Sequence, residues 1–162
     1  MREELELEKV CDEIVAAFRD TSPPEDYGQD DYTPYVEFED VEYLIGKTWL
    51  EIAVDKSLLE RHSEYQFFYM TKEALSYVLP GYLVGILRYG LCDSWISGDV
   101  VNILGASEDW CNHKCTHLQT TFTVSQKAAV GHWLHVLSHL QGETSRAKPY
   151  LANALANWQQ WA

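Results

Sequence analysis

The chain has 162 residues, of which 46% are hydrophobic and 13% aromatic, and carries a formal charge of −13 at neutral pH. This is the length of one domain, and apolar content at that level excludes disorder over most of it. Such a charge repels nucleic acid, whose binding ordinarily rests on a basic patch. No apolar run approaches the roughly 20 residues of a membrane helix, because Pro80, Gly81, Gly85 and Arg88 interrupt the best stretch.

Residues 3–19 read as an amphipathic helix. Leu7, Val10, Cys11, Ile14 and Phe18 keep the spacing of one buried face, while Glu4, Glu6, Glu8 and Glu13 fall mostly opposite. Asp20-Thr21-Ser22-Pro23-Pro24 ends it, since the residue before a proline is pushed out of the helical region. The opening MREELELEKV is acidic and lacks an apolar core, so it does not read as a secretory signal. Cys11, Cys92, Cys111 and Cys115 are therefore expected as reduced thiols in a cytoplasmic protein.

Residues 25–42 hold eight Asp or Glu, no Lys or Arg, and three tyrosines. An irregular loop is expected here, leading into a short helix around Val41–Gly46. Tyrosine offers contact area with few rotors to freeze, and carboxylates complement lysine and arginine. The candidate partner-binding residues are Asp26, Tyr27, Asp30, Asp31, Tyr32, Tyr35, Glu37, Glu39 and Asp40. A solvated acidic loop with its tyrosines packed on the core is the plainer alternative. The charge is polarised along the chain: residues 1–70 contain 19 acids and 6 bases, residues 71–162 contain 6 of each.

Trp49, Leu50 and Ile52 with Leu58 and Leu59 mark a further packing unit, with a short helix near 55–62. Tyr65–Met70 reads either as a short strand, one half of a strand pair, or as a helical lead-in. The stretch Phe67–Tyr89 organises the rest. Ala74, Leu75, Val78, Leu79, Tyr82, Leu83, Ile86 and Leu87 recur in pairs every four residues and build one wide apolar face. Thr71 is the expected N-cap, and Pro80 either kinks one helix or starts a second. Helices are also expected over Ser94–Leu104, over 124–141 with Ser125 as cap, and over 149–161 opening at Pro149. Residues 105–122 give no clear period. The fold class is mainly α: a compact single-domain bundle, residues 1–162, with an N-terminal helix and stop (1–24), the acidic loop (25–42) and a helical core (43–162).

Trp49, then Phe68-Tyr69-Met70-Thr71-x-Glu73-Ala74-x-x-Tyr77-x-Leu79-Pro80-x-Tyr82-Leu83, then Ser125-x-x-Ala128 with Gln126 and Ala129, resembles a family of small bacterial proteins of unknown function. Its members look alike in a tryptophan, a Thr-x-Glu-Ala-x-x-Tyr-x-Leu-Pro segment and a later helix containing glutamine. The resemblance spans roughly residues 45–140 and implies a bacterial origin and a helical fold. It brings no catalytic residue with it.

The chemistry-bearing patterns are few. The sequence has no phosphate-binding glycine loop, no nucleophile elbow and no zincin helix, so no catalytic residue, metal ligand or cofactor is assigned. Cys111-x-His113-x-Cys115-x-His117 has the residue types of a zinc site, but a strand would spread the side chains too far. Only a tight loop would gather them, with His132, His135 or His139 as further donors. Those three histidines lie within about 60° of one another on the expected helix, away from the stripe of Trp133, Leu137 and Leu140. They are expected to face solvent or a partner.

Two function classes follow. The first is a protein-binding inhibitor of the immunity or antitoxin kind, which masks a basic protein partner such as a nuclease-type toxin and has no enzymatic activity. It binds neither nucleic acid directly nor membrane. The alternative is a Cys/His metal-binding enzyme or sensor using residues 111–117.

Overall fold

The computed structural model describes residues 1–25, 27, 41–61 and 66–162. Among these residues the chain forms nine α-helices and two short 3-10 turns, with no strand. The first helix, α1 (Arg2–Phe18), buries Val10, Cys11, Ile14 and Phe18, the stripe its spacing predicts. A 3-10 turn at Glu42–Leu44 stands where a short helix was expected. It leads to α2 (Trp49–Ala53), capped by Thr48, and α3 (Lys56–Glu60), capped by Asp55. A single turn, α4 (Gln66–Tyr69), follows. The strand reading of Tyr65–Met70 is therefore wrong, because Gln66 and Phe67 turn into the core within one helical turn.

The central helix, α5 (Lys72–Arg88), begins at the expected cap: the Thr71 hydroxyl accepts from the Ala74 amide at 2.9 Å. Pro80 neither ends nor restarts it. The helix runs through, and every residue from Tyr77 to Leu87 is buried. A helix apolar all round belongs inside a bundle rather than against one neighbour. Helices α1, α2 and α3 contact α5, and two later helices complete its surroundings.

Two glycines one turn apart make room for the short helices. A Cβ at Gly81 would lie 2.5 Å from the Trp49 carbonyl oxygen and 3.0 Å from Ile52 Cβ. One at Gly85 would collide with the Leu59 side chain. α2 thus sits closer to the α5 axis than a residue with a side chain permits, and Leu59 of α3 fills the space that Gly85 leaves.

The second half continues with α6 (Trp95–Leu104), α7 (Asp109–Thr121), α8 (Val124–Leu140) and α9 (Lys148–Trp158), then a 3-10 turn at Gln159–Trp161. Helices α6 and α7 both contact α5. Ser94 caps α6, its hydroxyl accepting from the Ser97 amide. The cap of α8 is Thr123 rather than Ser125. Its hydroxyl accepts from the Gln126 amide at 3.1 Å, and Gln126 Oε1 accepts from the Thr123 amide at 2.9 Å, a reciprocal box. Gln126 Nε2 then donates to the Ala17 carbonyl, tying the start of α8 to the end of α1. Trp133 Nε1 donates to the Leu83 carbonyl at 2.8 Å, and Trp158 Nε1 to the Leu104 carbonyl at 3.0 Å. Buried indoles need such partners. No described helix is long and apolar enough to cross a membrane.

Candidate functional site

Of the nine partner-binding candidates, Asp26, Asp30, Asp31, Tyr32, Tyr35, Glu37, Glu39 and Asp40 lie outside the described residues, as does most of the expected loop. Tyr27 is described and belongs to the core. It is 6% exposed, its carbonyl accepts from the Thr71 amide at 3.1 Å, and its hydroxyl reaches the Lys47 carbonyl at 3.5 Å. Burial raises its phenol pKa, with the neighbouring Tyr77 adding to the shift. As a contact residue Tyr27 is thus corrected: its ring packs inward and offers a partner nothing. Val41, at the far end of the segment, is fully buried as well.

The described acids of the first half tell a consistent electrostatic story. Glu3, Glu4, Glu6, Glu8 and Asp12 on α1 are exposed, and so are Glu42 at the end of the acidic segment and Glu51 and Glu60 beyond it. Those on α1 stand away from the stripe that packs on α5 and α8, and Glu42, Glu51 and Glu60 lie on short helical turns, so their carboxylates project a negative field into solvent. Around them, Ile45, Leu50 and Val54 are exposed apolar side chains.

The Cys/His row lies on α7, neither a loop nor a strand. Cys111 and Cys115, one turn apart, are 0% and 2% exposed and face the core with Lys114 and Leu118. His113 and His117 fall on another face and line an open groove of about 660 Å³ with Lys72, Asp109, Asn112, Thr116 and Thr120. The helix separates the thiols from the imidazoles, so the four-ligand set of the metal reading does not converge. Asp109, His113 and His117 do share a stripe, but its ends are two turns, about 12 Å, apart along the axis. Among the described residues no group of three or more His, Cys, Asp or Glu is placed to hold a metal ion.

The four cysteines, free and buried, are unlike reactive thiols. Burial pushes Cys11, Cys92 and Cys115 up to about 11 and Cys111 up to about 12, from an ordinary 9.0. The thiolate is the nucleophile, so none is activated at neutral pH. Raised folded-state values mean that the thiols' contribution to stability is fully present below pH 9 and is lost as pH rises through 11–12. A disulfide-exchange reagent at pH 8 should therefore label the native protein slowly and the denatured protein fully. Fast stoichiometric labelling of the native fold would show that these thiols are accessible.

On α8 the three histidines take the outward positions their spacing predicts. His132 is half-buried; His135 and His139 are exposed. His132 Nδ1 lies 2.7 Å from Glu13 Oε1 on α1, a cross-helix bond that no sequence pattern announces. The groove between α1 and α8 there is floored by Val10 and Val136, with Glu6, Lys9, Glu13, His132 and His135 around it. The His135 and His139 rings stand edge to face, 4.8 Å between centroids.

These features define an acidic, mainly α domain with a strongly negative first half, buried thiols and an exposed histidine face. No protein-family model matches the chain, and no curated protein or solved structure matches it.

Proposed function

We propose that the protein is a binding module of the immunity or antitoxin kind, neutralising a cationic protein partner such as a nuclease-type toxin by masking its basic surface. The observation that carries this reading is the polarised charge: 19 acids against 6 bases in residues 1–70, and balance thereafter. A negative field on one half of a small domain speeds encounter with a basic surface and disfavours acidic competitors. The exposed carboxylates of α1 and of Glu42, Glu51 and Glu60 support it, as do the inactive thiols and the divided Cys/His row. The principal contact surface on this reading is the acidic, tyrosine-bearing segment, with Tyr27 removed from it. The setting is the bacterial cytoplasm, in keeping with the resemblance around Thr71–Pro80, and the module neither catalyses a reaction nor binds nucleic acid.

The test is binding kinetics at two salt concentrations, with the basic product of an adjacent toxin-like reading frame as partner. Reversing charge at Asp30, Asp31 and Glu37 should slow association and flatten its salt dependence. Tyr32→Ala or Tyr35→Ala should instead speed dissociation, by about 1–4 kcal/mol for an anchor residue. Melting temperatures serve as the control. Unchanged affinity in the triple variant would remove the segment from the interface, and parallel losses of melting temperature and affinity would make it structural.

A further inference from the structure

We infer that His135 and His139 form a two-imidazole chelate on the outer face of α8 for a divalent first-row transition ion, Cu²⁺, Ni²⁺ or Zn²⁺. This is a site beyond the partner-binding reading and independent of it. The two residues are four apart on a regular helix, so their side chains stack on one face. Both are exposed, and the rings already lie 4.8 Å apart between centroids. Metal–nitrogen bonds of about 2.0–2.1 Å require the two donors within roughly 4 Å of each other, an approach left to rotation of the exposed His135 ring while His139 keeps its backbone contact.

The hydrogen bonding sets the tautomer that metal binding needs. His139 Nδ1 lies 2.8 Å from the His135 carbonyl oxygen, which can only accept, so Nδ1 carries the proton and Nε2 keeps its lone pair. A backbone carbonyl holding the other ring nitrogen is the usual outer-sphere support of a metal-bound histidine. One turn earlier, the Glu13 carboxylate bonds His132 Nδ1 in the same sense and braces α8 against α1. No third His, Cys, Asp or Glu among the described residues joins the pair. The ion is thus held by two protein donors, with water in its other positions, and imidazole donors select copper, nickel and zinc over magnesium or calcium.

The experiment titrates Ni²⁺ into the untagged full-length protein, followed by calorimetry and by the histidine ring signals in the NMR spectrum. Ni²⁺ should perturb or broaden the His135 and His139 signals first, and Mg²⁺ at the same concentration should leave them in place. H135A and H139A should each weaken binding by more than about tenfold, because the chelate is lost with either ring. The double variant H113A/H117A should bind as the wild type does. Full affinity in H135A or H139A, or its loss in H113A/H117A, would overturn the site. Neither result bears on the acidic partner surface, which is read from binding kinetics.

Discussion

Leu79→Ala and Leu83→Ala should each lower the stability of the protein by about 2–5 kcal/mol, the range for truncating a leucine in a packed core. Leu79 is 1% exposed and Leu83 fully buried, in the stretch of α5 that is enclosed on every side. The cost depends on how far the surroundings can collapse into the space, and here they are held. The Trp133 indole is fixed to the Leu83 carbonyl, while α2 rests against Gly81 at the limit of contact. The measurement is the urea midpoint with the slope unchanged. Leu50→Ala is the control: Leu50 is 52% exposed on α2, so its truncation should cost under about 0.5 kcal/mol. Midpoints that barely move for both α5 variants would refute the organising role of this helix. Gly81→Val on the same helix should also destabilise, through overpacking against the Trp49 carbonyl, by about 1–3 kcal/mol.

Legibility in the sequence followed how each buried stripe is spelled. α1 and α5 write theirs in Leu, Ile, Val and Phe, and both were readable, although the paired spacing of α5 suggested one face where the helix is buried all round. Periodicity registers large apolar residues, and Tyr77, Pro80 and Gly81 outside that stripe are not counted as core. α7 was unreadable for the opposite reason. Its buried positions, Cys111, Lys114, Cys115 and Leu118, keep the i, i+3, i+4, i+7 rhythm, but in thiols and a lysine. The alternation of Cys and His overlies that rhythm with a period of two, which belongs to no helix. For α8 the box Thr123-x-x-Gln126 was present in the sequence and names the cap that Ser125 does not provide. The histidine face was predicted from angle alone. Its pairing with Glu13 joins residues 119 positions apart and depends on how α1 docks on α8, which local pattern does not encode.

Lys114→Ala should prove as disruptive as the leucine truncations. Lys114 is fully buried on the core face of α7, and its ammonium donates to the Met70 carbonyl, just ahead of the Thr71 cap that opens α5. The side chain thus pins α7 to the start of the central helix. A hydrogen bond from a charged donor contributes about 1.5–3 kcal/mol, and leaving its buried acceptor unmet adds a desolvation cost. Alanine also removes the packed methylene stem, whose loss leaves a cavity. The sum is expected at about 3–5 kcal/mol, the scale of other broken buried-charge interactions. Lys114→Met separates the two contributions, since it keeps the length and apolar stem and removes only the ammonium. Methionine leaves the Met70 carbonyl as unmet as alanine does, but it keeps the packed stem, so it should fall short of the alanine loss by the cavity contribution. The measurement is the urea midpoint of both variants. A methionine variant as unstable as alanine would place the whole effect in the ammonium. An alanine variant as stable as the wild type would mean that α7 is not anchored to α5 through this residue.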